Sequence, residues 1–314
     1  MTISSNPTAP LVVVVGSTGK QGGSVIQALA ESDKEYRIRG LTRDVSKPQA
    51  QRIATQGVEM MNVNLTADNA DAARAAFKGA NIAFIVTNFW EHLDKAREVA
   101  EGKMLVATAK AADVELLVWS GLESAAEVSQ GKYGHVDHFD SKAEITTYAR
   151  KSGVQLLIVQ AGAYASNHLH SPQKEADGTY TLGLPVGPNT ILPIIDAVHD
   201  YGLFVREGIE CPKFGAGTEV LASAEDISVA EMLVQLSMIT GKKVVYKRIS
   251  DEEFMAATRA PHHVALELLE MWKYFEEFGY FGDKDTSSSR QHLNRTPHTW
   301  ADFVREADWS SILV

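Results

Sequence analysis

Five apolar residues, Leu11 to Val15, run directly into Gly16-Ser17-Thr18-Gly19-Lys20-Gln21-Gly22-Gly23. Four of the five are β-branched, which predicts a strand buried on both faces, as in the interior of a parallel sheet. Ser24 to Ala30 then reads as a helix with Val25, Ile26 and Leu29 on its inner side. A strand, a glycine-rich turn and a helix together make a cradle for a diphosphate. Gly16 permits the sharp turn, Gly19 lets backbone come close to a phosphate, and Gly22 lets the helix sit against the strand. The free N–H groups of the first helical turn then point at the anion. The spacing is Gly-x-x-Gly-x-x-Gly, not the commoner dinucleotide form Gly-x-Gly-x-x-Gly. The glycines alone would also serve a tight turn with no ligand; the strand before them and the helix after them supply the context that a dinucleotide site requires.

The rest of the first half repeats this alternation. Strands are expected at Tyr36–Leu41, Val58–Val63, Ile82–Val86, Glu115–Trp119 and Gln155–Val159. Helices are expected at Ser46–Gln56, Asp68–Lys78, Leu93–Ala112 and His138–Lys151. Short connections between them predict a doubly wound parallel sheet with right-handed crossovers, whose ligands lie beyond the carboxyl ends of the strands. The alternation stops after Gln160, where Pro172, Gly178, Gly183, Pro185, Gly187 and Pro188 break the chain. Thr179–Leu184 reads as half of a hairpin and Lys243–Ile249 as a strand. Ser228–Thr240 reads as a helix with a Ser228/Glu231 capping box, ended by Gly241. Further helices are expected from Asp251, over Val264–Phe278 and over Thr299–Asp308. We therefore expect an α/β chain divided into residues 1–160, the nucleotide-binding domain with later returns allowed, and 161–314, a smaller mixed lobe on the substrate or partner side.

Composition narrows the function classes. With a formal net charge of -10 the chain lacks the basic footprint that nucleic-acid phosphates demand, so no direct nucleic-acid partner is expected. Cys211 is the only cysteine, which fits a reducing compartment, the cytoplasm first and the nucleus second. No long apolar run or basic-then-apolar leader suggests a membrane span or secretory signal. His135 and His138, His168 and His170, and His262 and His263 are close in sequence. With one isolated cysteine and no His-Glu-x-x-His, no metal is expected.

The end of the second strand meets the adenosine ribose in dinucleotide folds, and a basic residue there accommodates a 2′-phosphate. Thr42-Arg43-Asp44-Val45-Ser46-Lys47 offers Arg43, suited to forked pairing with a phosphate, and Lys47 as a second cation. This favours NADP(H); Asp44 competes, since a carboxylate turned to the ribose would favour NAD.

The segments 15–25, Leu41-Thr42-Arg43, 84–91, 118–123 and His138-Phe139-Asp140-Ser141-Lys142 together resemble the NmrA-like family of atypical short-chain dehydrogenase-like proteins, and most closely its redox-sensor branch. The resemblance is strong to about Asn167 and general beyond. It implies a Rossmann domain that prefers NADP(H). The phosphate loop would be Gly16, Ser17, Thr18, Gly19, Lys20, Gln21 and Gly22, with Arg43 and Lys47 at the 2′-phosphate. Asn64 and Leu65 would flank the adenine, and Thr87, Asn88 and Phe89 would line the middle of the cofactor. Lys142 would reach the nicotinamide ribose, and Tyr164 to Asn167 would close over the nicotinamide.

Dehydrogenases of the resembled class carry Tyr-x-x-x-Lys on one helix, where i and i+4 share a face. Here Lys142 is present but His138 stands in the tyrosine's position. The missing phenol favours an NADP(H)-binding sensor or regulator that responds to cofactor by changing conformation and protein partner. The alternative is an NADPH-dependent reductase of a small carbonyl or imine, with Lys142 or His138 as proton donor and Ser120 orienting the substrate; an imidazole is a competent donor near neutral pH. Tyr133, upstream in a glycine-containing loop, is a further candidate donor. A homodimer is compatible with either reading. The helix carrying Leu266, Leu268, Leu269, Met271, Trp272, Phe275 and Phe278 reads as core, with a partner groove as the second option.

Overall fold

The computed structural model describes residues 3–168, 172–211, 218–310 and 312–313, and the structural statements below concern these. The first half runs β1 (Leu11–Val14), α1 (Lys20–Ala30), β2 (Arg37–Thr42), α2 (Pro48–Ala54), β3 (Glu59–Asn62), α3 (Ala70–Phe77), β4 (Ile82–Ile85), α4 (Lys95–Ala111), β5 (Leu116–Trp119), α5 (Ala125–Val128), α6 (Asp137–Lys151) and β6 (Gln155–Ala161). Next come β7 (Ala163–Tyr164), β8 (Gln173–Lys174), β9 (Tyr180–Leu184), β10 (Ile191–Ile195), α7 (Tyr201–Glu210), β11 (Glu219–Ala222) and β12 (Glu225–Ser228). The chain continues with α8 (Val229–Thr240), β13 (Val244–Arg248), α9 (Asp251–Thr258), α10 (His262–Phe278), α11 (Ser287–Arg290) and α12 (Trp300–Glu306).

Seven strands form one sheet in the order β11-β6-β5-β4-β1-β2-β3. Every pairing in it is parallel. The chain winds outward from β1 through β2 to β3, then returns and winds the other way from β4 through β6. The switch point therefore lies between β1 and β4, and a crevice opens beyond their carboxyl ends. Val12, Val13 and Val14 are fully buried because helices cover both faces of the sheet. The expected elements of this half form with their ends shifted by a residue or two in either direction, except that α1 begins at Lys20, four residues early, and the short α5 is additional; α2 starts only at Pro48, whose ring presets the backbone angle of a first helical residue.

One return to the sheet was not legible. Helix α7 packs on α1, and Gly202 makes the approach possible: its N–H donates to Ser24 Oγ at 2.9 Å. A Cβ at Gly202 would stand 2.0 Å from the Ser24 carbonyl oxygen. Arg206 Nη1 fixes the same contact by donating to Ala28 O at 3.0 Å. β11 then pairs with β6 and completes the sheet. Two glycines in ten residues weaken the helical signal of α7.

The remaining chain builds two small three-stranded sheets, β12-β10-β7 and β13-β9-β8, around a second core that includes Tyr180, Leu192, Tyr274 and Trp300. The Ser228/Glu231 capping box opens α8, and Gly241 closes it at φ +68°. The half-hairpin expected at 179–184 is β9, which pairs antiparallel with β8 and parallel with β13. Among the described residues, no helix is long and apolar enough to cross a membrane.

Candidate functional site

A cleft of about 1560 Å³ opens beyond the carboxyl ends of β1, β2, β4 and β5 and runs into the second lobe. It begins at the glycine loop. Gly16 sits at φ +67°, a conformation that L side chains rarely adopt. A Cβ at Gly22 would lie 2.3 Å from the Gly16 carbonyl oxygen, so the close approach of helix and strand requires glycine there. α1 starts without a side-chain cap and without an acidic residue in its first turn. Its ladder begins with Gly23 N–H donating to Gly19 O at 2.9 Å. The amides of Lys20, Gln21 and Gly22 therefore stand ahead of the ladder, at the positive end of the helix. Gln21 donates through Nε2 to the Tyr164 hydroxyl at 2.6 Å, while its Oε1 is buried without a hydrogen-bond partner. Burial pushes the Tyr164 phenol up to about 12, so it stays neutral at physiological pH. An uncapped helix start and a cradle that a Cβ would fill fit a diphosphate, and the orphaned Gln21 Oε1 is an acceptor open to a hydroxyl or amide donor elsewhere on such a ligand.

Arg43, at the end of β2, lines the cleft and is ion-paired with Glu91, which lines it too. Asp44 is turned into its own loop, accepting from Ser46 N at 2.9 Å and Ser46 Oγ at 2.6 Å. The Ser46 hydroxyl, followed by its amide, holds the Asp44 carboxyl below the usual carboxylate range.

Two helices supply the middle of the cleft. His138 and Lys142 project from one face of α6, four residues apart, and both line the wall. Lys142 Nζ is ion-paired with Glu98 of α4. Glu98 is only 2% exposed and also accepts from the Ser141 hydroxyl and from Thr87 Oγ1, the latter at 2.6 Å. His138 meets a second buried carboxylate: Glu267 of α10 lies 2.6 Å from Nδ1 and accepts from the His138 backbone N–H at 2.9 Å. The carboxylate partner assigns the proton to Nδ1 and leaves Nε2 to serve the cleft. The rings of Trp90 and Phe139 flank the imidazole at 4.8 and 4.9 Å.

The residues expected from sequence are largely brought together here. Gly16, Thr18, Gly19, Lys20, Gln21, Gly22, Arg43, Asn64, Leu65, Thr87, Asn88, Phe89, Ser120, His138, Lys142, Tyr164 and Asn167 all line the one cleft. Two do not. Ser17 is fully buried, its hydroxyl donating to Leu41 O at 2.9 Å, so it ties β1 to β2. Lys47 is exposed at the start of α2, outside the lining. Tyr133, the further candidate donor, faces away: its hydroxyl donates to Glu277 at 2.7 Å, and burial pushes its pKa up. Of the paired histidines, His168 lines the cleft, His135 pairs with Glu270 at 2.7 Å, and His170 lies outside the described residues. Asp196 and His199, three residues apart, and the distant His298 gather away from the cleft with potential ligand atoms within 4.8 Å of one another.

Sequence reasoning missed the two carboxylates and the floor. Glu98 gives no signal in a helix of mixed polarity. Glu267 does give one: a carboxylate set among Leu266, Leu268 and Leu269 must be either exposed or paired. The apolar helix carrying it is neither pure core nor an outer groove, since Leu268, Met271, Trp272 and Phe275 line the cleft.

A doubly wound sheet with a glycine-rich turn at its switch point and a cleft running from that turn into a second lobe defines a protein of the dinucleotide-binding α/β class. Within that class, the NmrA-like family model matches residues 8–304, and the chain belongs to that family. It is 26% identical over 318 residues to an NmrA-like family domain-containing oxidoreductase, ptmS, of Penicillium ochrochloron, with 96% of this chain and 88% of that protein covered. Its fold superposes on NmrA, a negative transcriptional regulator solved in complex with NAD, with a TM-score of 0.80 and 22% identity over 96% of this chain and 99% of that one. An NADPH-dependent quinone oxidoreductase of Escherichia coli, QOR2, complexed with NADPH, gives a TM-score of 0.76 and 20% identity over 94% and 98%.

Proposed function

We propose that this chain binds NADP(H) across the switch point and reduces a small carbonyl or imine compound. The observation that carries the reading is the cleft itself: it passes His138 and Lys142 and continues into the second lobe. At about 1560 Å³ it exceeds the roughly 300–1,000 Å³ typical of a pocket for one small ligand. The amides ahead of the α1 ladder and Lys20 would receive the diphosphate, with Arg43 at the 2′-phosphate. The self-contained Asp44 loop removes the main competitor for that corner. The oxidoreductase ptmS and the NADPH complex of QOR2 agree with this reading.

NADPH held in this cleft would supply the hydride for the reduction. The protein's part is positional and acid–base. Lys142, ion-paired with Glu98 on the cleft wall, would hold the ribose. His138, entering the step protonated on both ring nitrogens, would give its Nε2 proton to the carbonyl oxygen or imine nitrogen and remain as the Nδ1–H imidazole held by Glu267, until solvent returns a proton to Nε2. The test is NADPH oxidation with aromatic and aliphatic ketones and imines. Turnover that falls at least 100-fold in His138→Ala with NADPH affinity intact supports the reading; unchanged turnover in that variant removes His138 from it, and no oxidation with any carbonyl or imine rejects it.

A second reading has its own observation. Arg43 is engaged by Glu91, so a phosphate arriving at Arg43 must break that pair and free the 3₁₀ turn Phe89–Glu91. A cofactor-driven shift of this turn is the kind of change a regulator such as NmrA could present to a protein partner. It predicts altered proteolysis at Trp90–Leu93 with NADP(H) and not with NAD.

A further inference from the structure

The two ends of the cleft differ in charge. Up to residue 160 its lining includes Lys20, Arg43, Glu91, Arg97, Glu101 and Lys142. From Ala161 onward, among the described residues, no Asp, Glu, Lys or Arg lines it. That end is walled by Leu182, Leu184, Leu192, Phe254, Met271 and Trp272. Aromatic rings line one side: Phe275 and Tyr280 lie 4.7 Å apart at 32°, and Phe139 backs Tyr280 edge-on at 5.2 Å and 68°. The titratable groups there are neutral at physiological pH. Burial drives the His168 imidazole down to about 4 and pushes the Tyr280 phenol up. A carboxylate or phosphate placed among the leucine and aromatic walls, beyond the reach of Lys20 at Tyr164, would lose its water and find no counter-charge among the described residues that line them, which is strongly unfavourable. A flat apolar molecule would gain both burial and ring contacts.

We infer that this chamber takes an uncharged, planar aromatic ketone or imine, with its polar group at His138 and its ring system packed against Phe275 and Tyr280. The inference rests on the reductase reading and names the substrate class that reading leaves open. Selectivity follows from the walls: neutral aryl compounds enter, and their carboxylated counterparts are refused.

Binding to the protein without cofactor tests this apart from turnover. The probe is 6-propionyl-2-dimethylaminonaphthalene, a neutral aryl ketone whose emission shifts blue in apolar surroundings. We expect saturable one-site binding, displaced by 2-acetylnaphthalene at least tenfold more effectively than by 6-acetyl-2-naphthoate. Met271 is half-buried in the wall, so Met271→Lys places a charge in the chamber without opening the core. It should weaken the probe at least tenfold, while Met271→Leu binds as the parent does and NADPH affinity stays the same in both. Absence of saturable binding, equal displacement by the naphthoate, or unchanged binding in a folded Met271→Lys protein overturns the assignment. Probe binding as expected with no NADPH oxidation would instead leave the chamber's selectivity standing and reject the reductase reading.

Discussion

The charged end of the cleft and its uncharged end are made in different ways. The charged end comes mainly from short segments at the carboxyl ends of strands, joined by Arg97 and Glu101 of α4 and Lys142 of α6, and its central device is backbone: glycines and free amides between Gly16 and Gly22. The uncharged end is gathered from β9, β10, α9 and α10, separated by up to a hundred residues, and its device is what it leaves out. A backbone cradle tolerates almost no change at its glycines but is indifferent to most side chains around it. A chamber defined by absent charge tolerates many apolar exchanges and is spoiled by one lysine. Between them stand Lys142 with Glu98 and His138 with Glu267, two ionisable pairs sealed into the seam.

The seam should give the largest effect. Glu98→Ala removes the one carboxylate partner of Lys142, whose side chain is 12% exposed, and strands a buried ammonium. Breaking a buried pair in this way costs about 3–5 kcal/mol of stability. Chemical denaturation should show it as a lowered midpoint with an unchanged slope, and the double change Glu98→Ala/Lys142→Met should recover much of the loss. If the single variant is as stable as the parent, the seam is wet and the two ends are not separated by it.

Gly22→Val comes next and breaks the ends apart. Its Cβ, 2.3 Å from backbone, displaces α1 from the strand. NADPH affinity should fall about 100-fold, roughly 2.7 kcal/mol. The milder Gly19→Ala, whose Cβ would sit 3.2 Å from Gly16 O, should lose less. In both, binding of the naphthyl ketone should persist. Loss of both ligands from a folded protein would mean that the cleft is a single site, and the contrast between its ends would go. This contrast also governs what could be read in advance. The cradle, Arg43 and the His138/Lys142 pair occupy fixed distances along the chain from strand ends, so the alternation of strands and helices placed them. Ser17 misled because it belongs to the glycine run yet serves the β1–β2 contact. Glu98 acts through Lys142 and Ser141, more than forty residues on, as well as through the nearer Thr87, and Glu267 acts through His138; the leucines around Glu267 show that it must be exposed or paired, but local pattern does not name the partner.

The uncharged end predicts a pH dependence of stability. His168 titrates at about 4 in the folded protein against 6.5 for the free side chain, because burial penalises the charged ring. Between those values the unfolded chain holds a proton that the folded one does not, so stability rises with pH there and falls on acidification. The contribution is complete above pH 6.5 and is lost as pH drops toward 4, with a slope of up to about 1.4 kcal/mol per unit. His168→Gln should flatten the difference between urea midpoints measured at pH 7 and pH 4.5 relative to the parent. An identical pH profile in the variant would place the ring in water and reopen that end to charged ligands.

The smallest effect lies at the phosphate corner and is the most specific. Arg43 and Glu91 form an exposed pair, with side chains 64% and 30% accessible. Pairs of this kind are worth only about 0.2–1 kcal/mol. Glu91→Gln should therefore tighten NADP(H) by no more than about fivefold, because the phosphate no longer displaces a carboxylate from the guanidinium. NAD(H), which makes no demand on Arg43, should bind as before. Arg43→Ala should act in the opposite sense and more strongly, since a charge-assisted hydrogen bond contributes about 1.5–3 kcal/mol. In that background Glu91→Gln should have nothing left to relieve. Calorimetry of the four proteins with both cofactors closes the cycle. A gain for NAD(H) equal to the gain for NADP(H) would mean that Glu91 repels the diphosphate generally, and the corner would then discriminate by net charge and not by recognition of the 2′-phosphate.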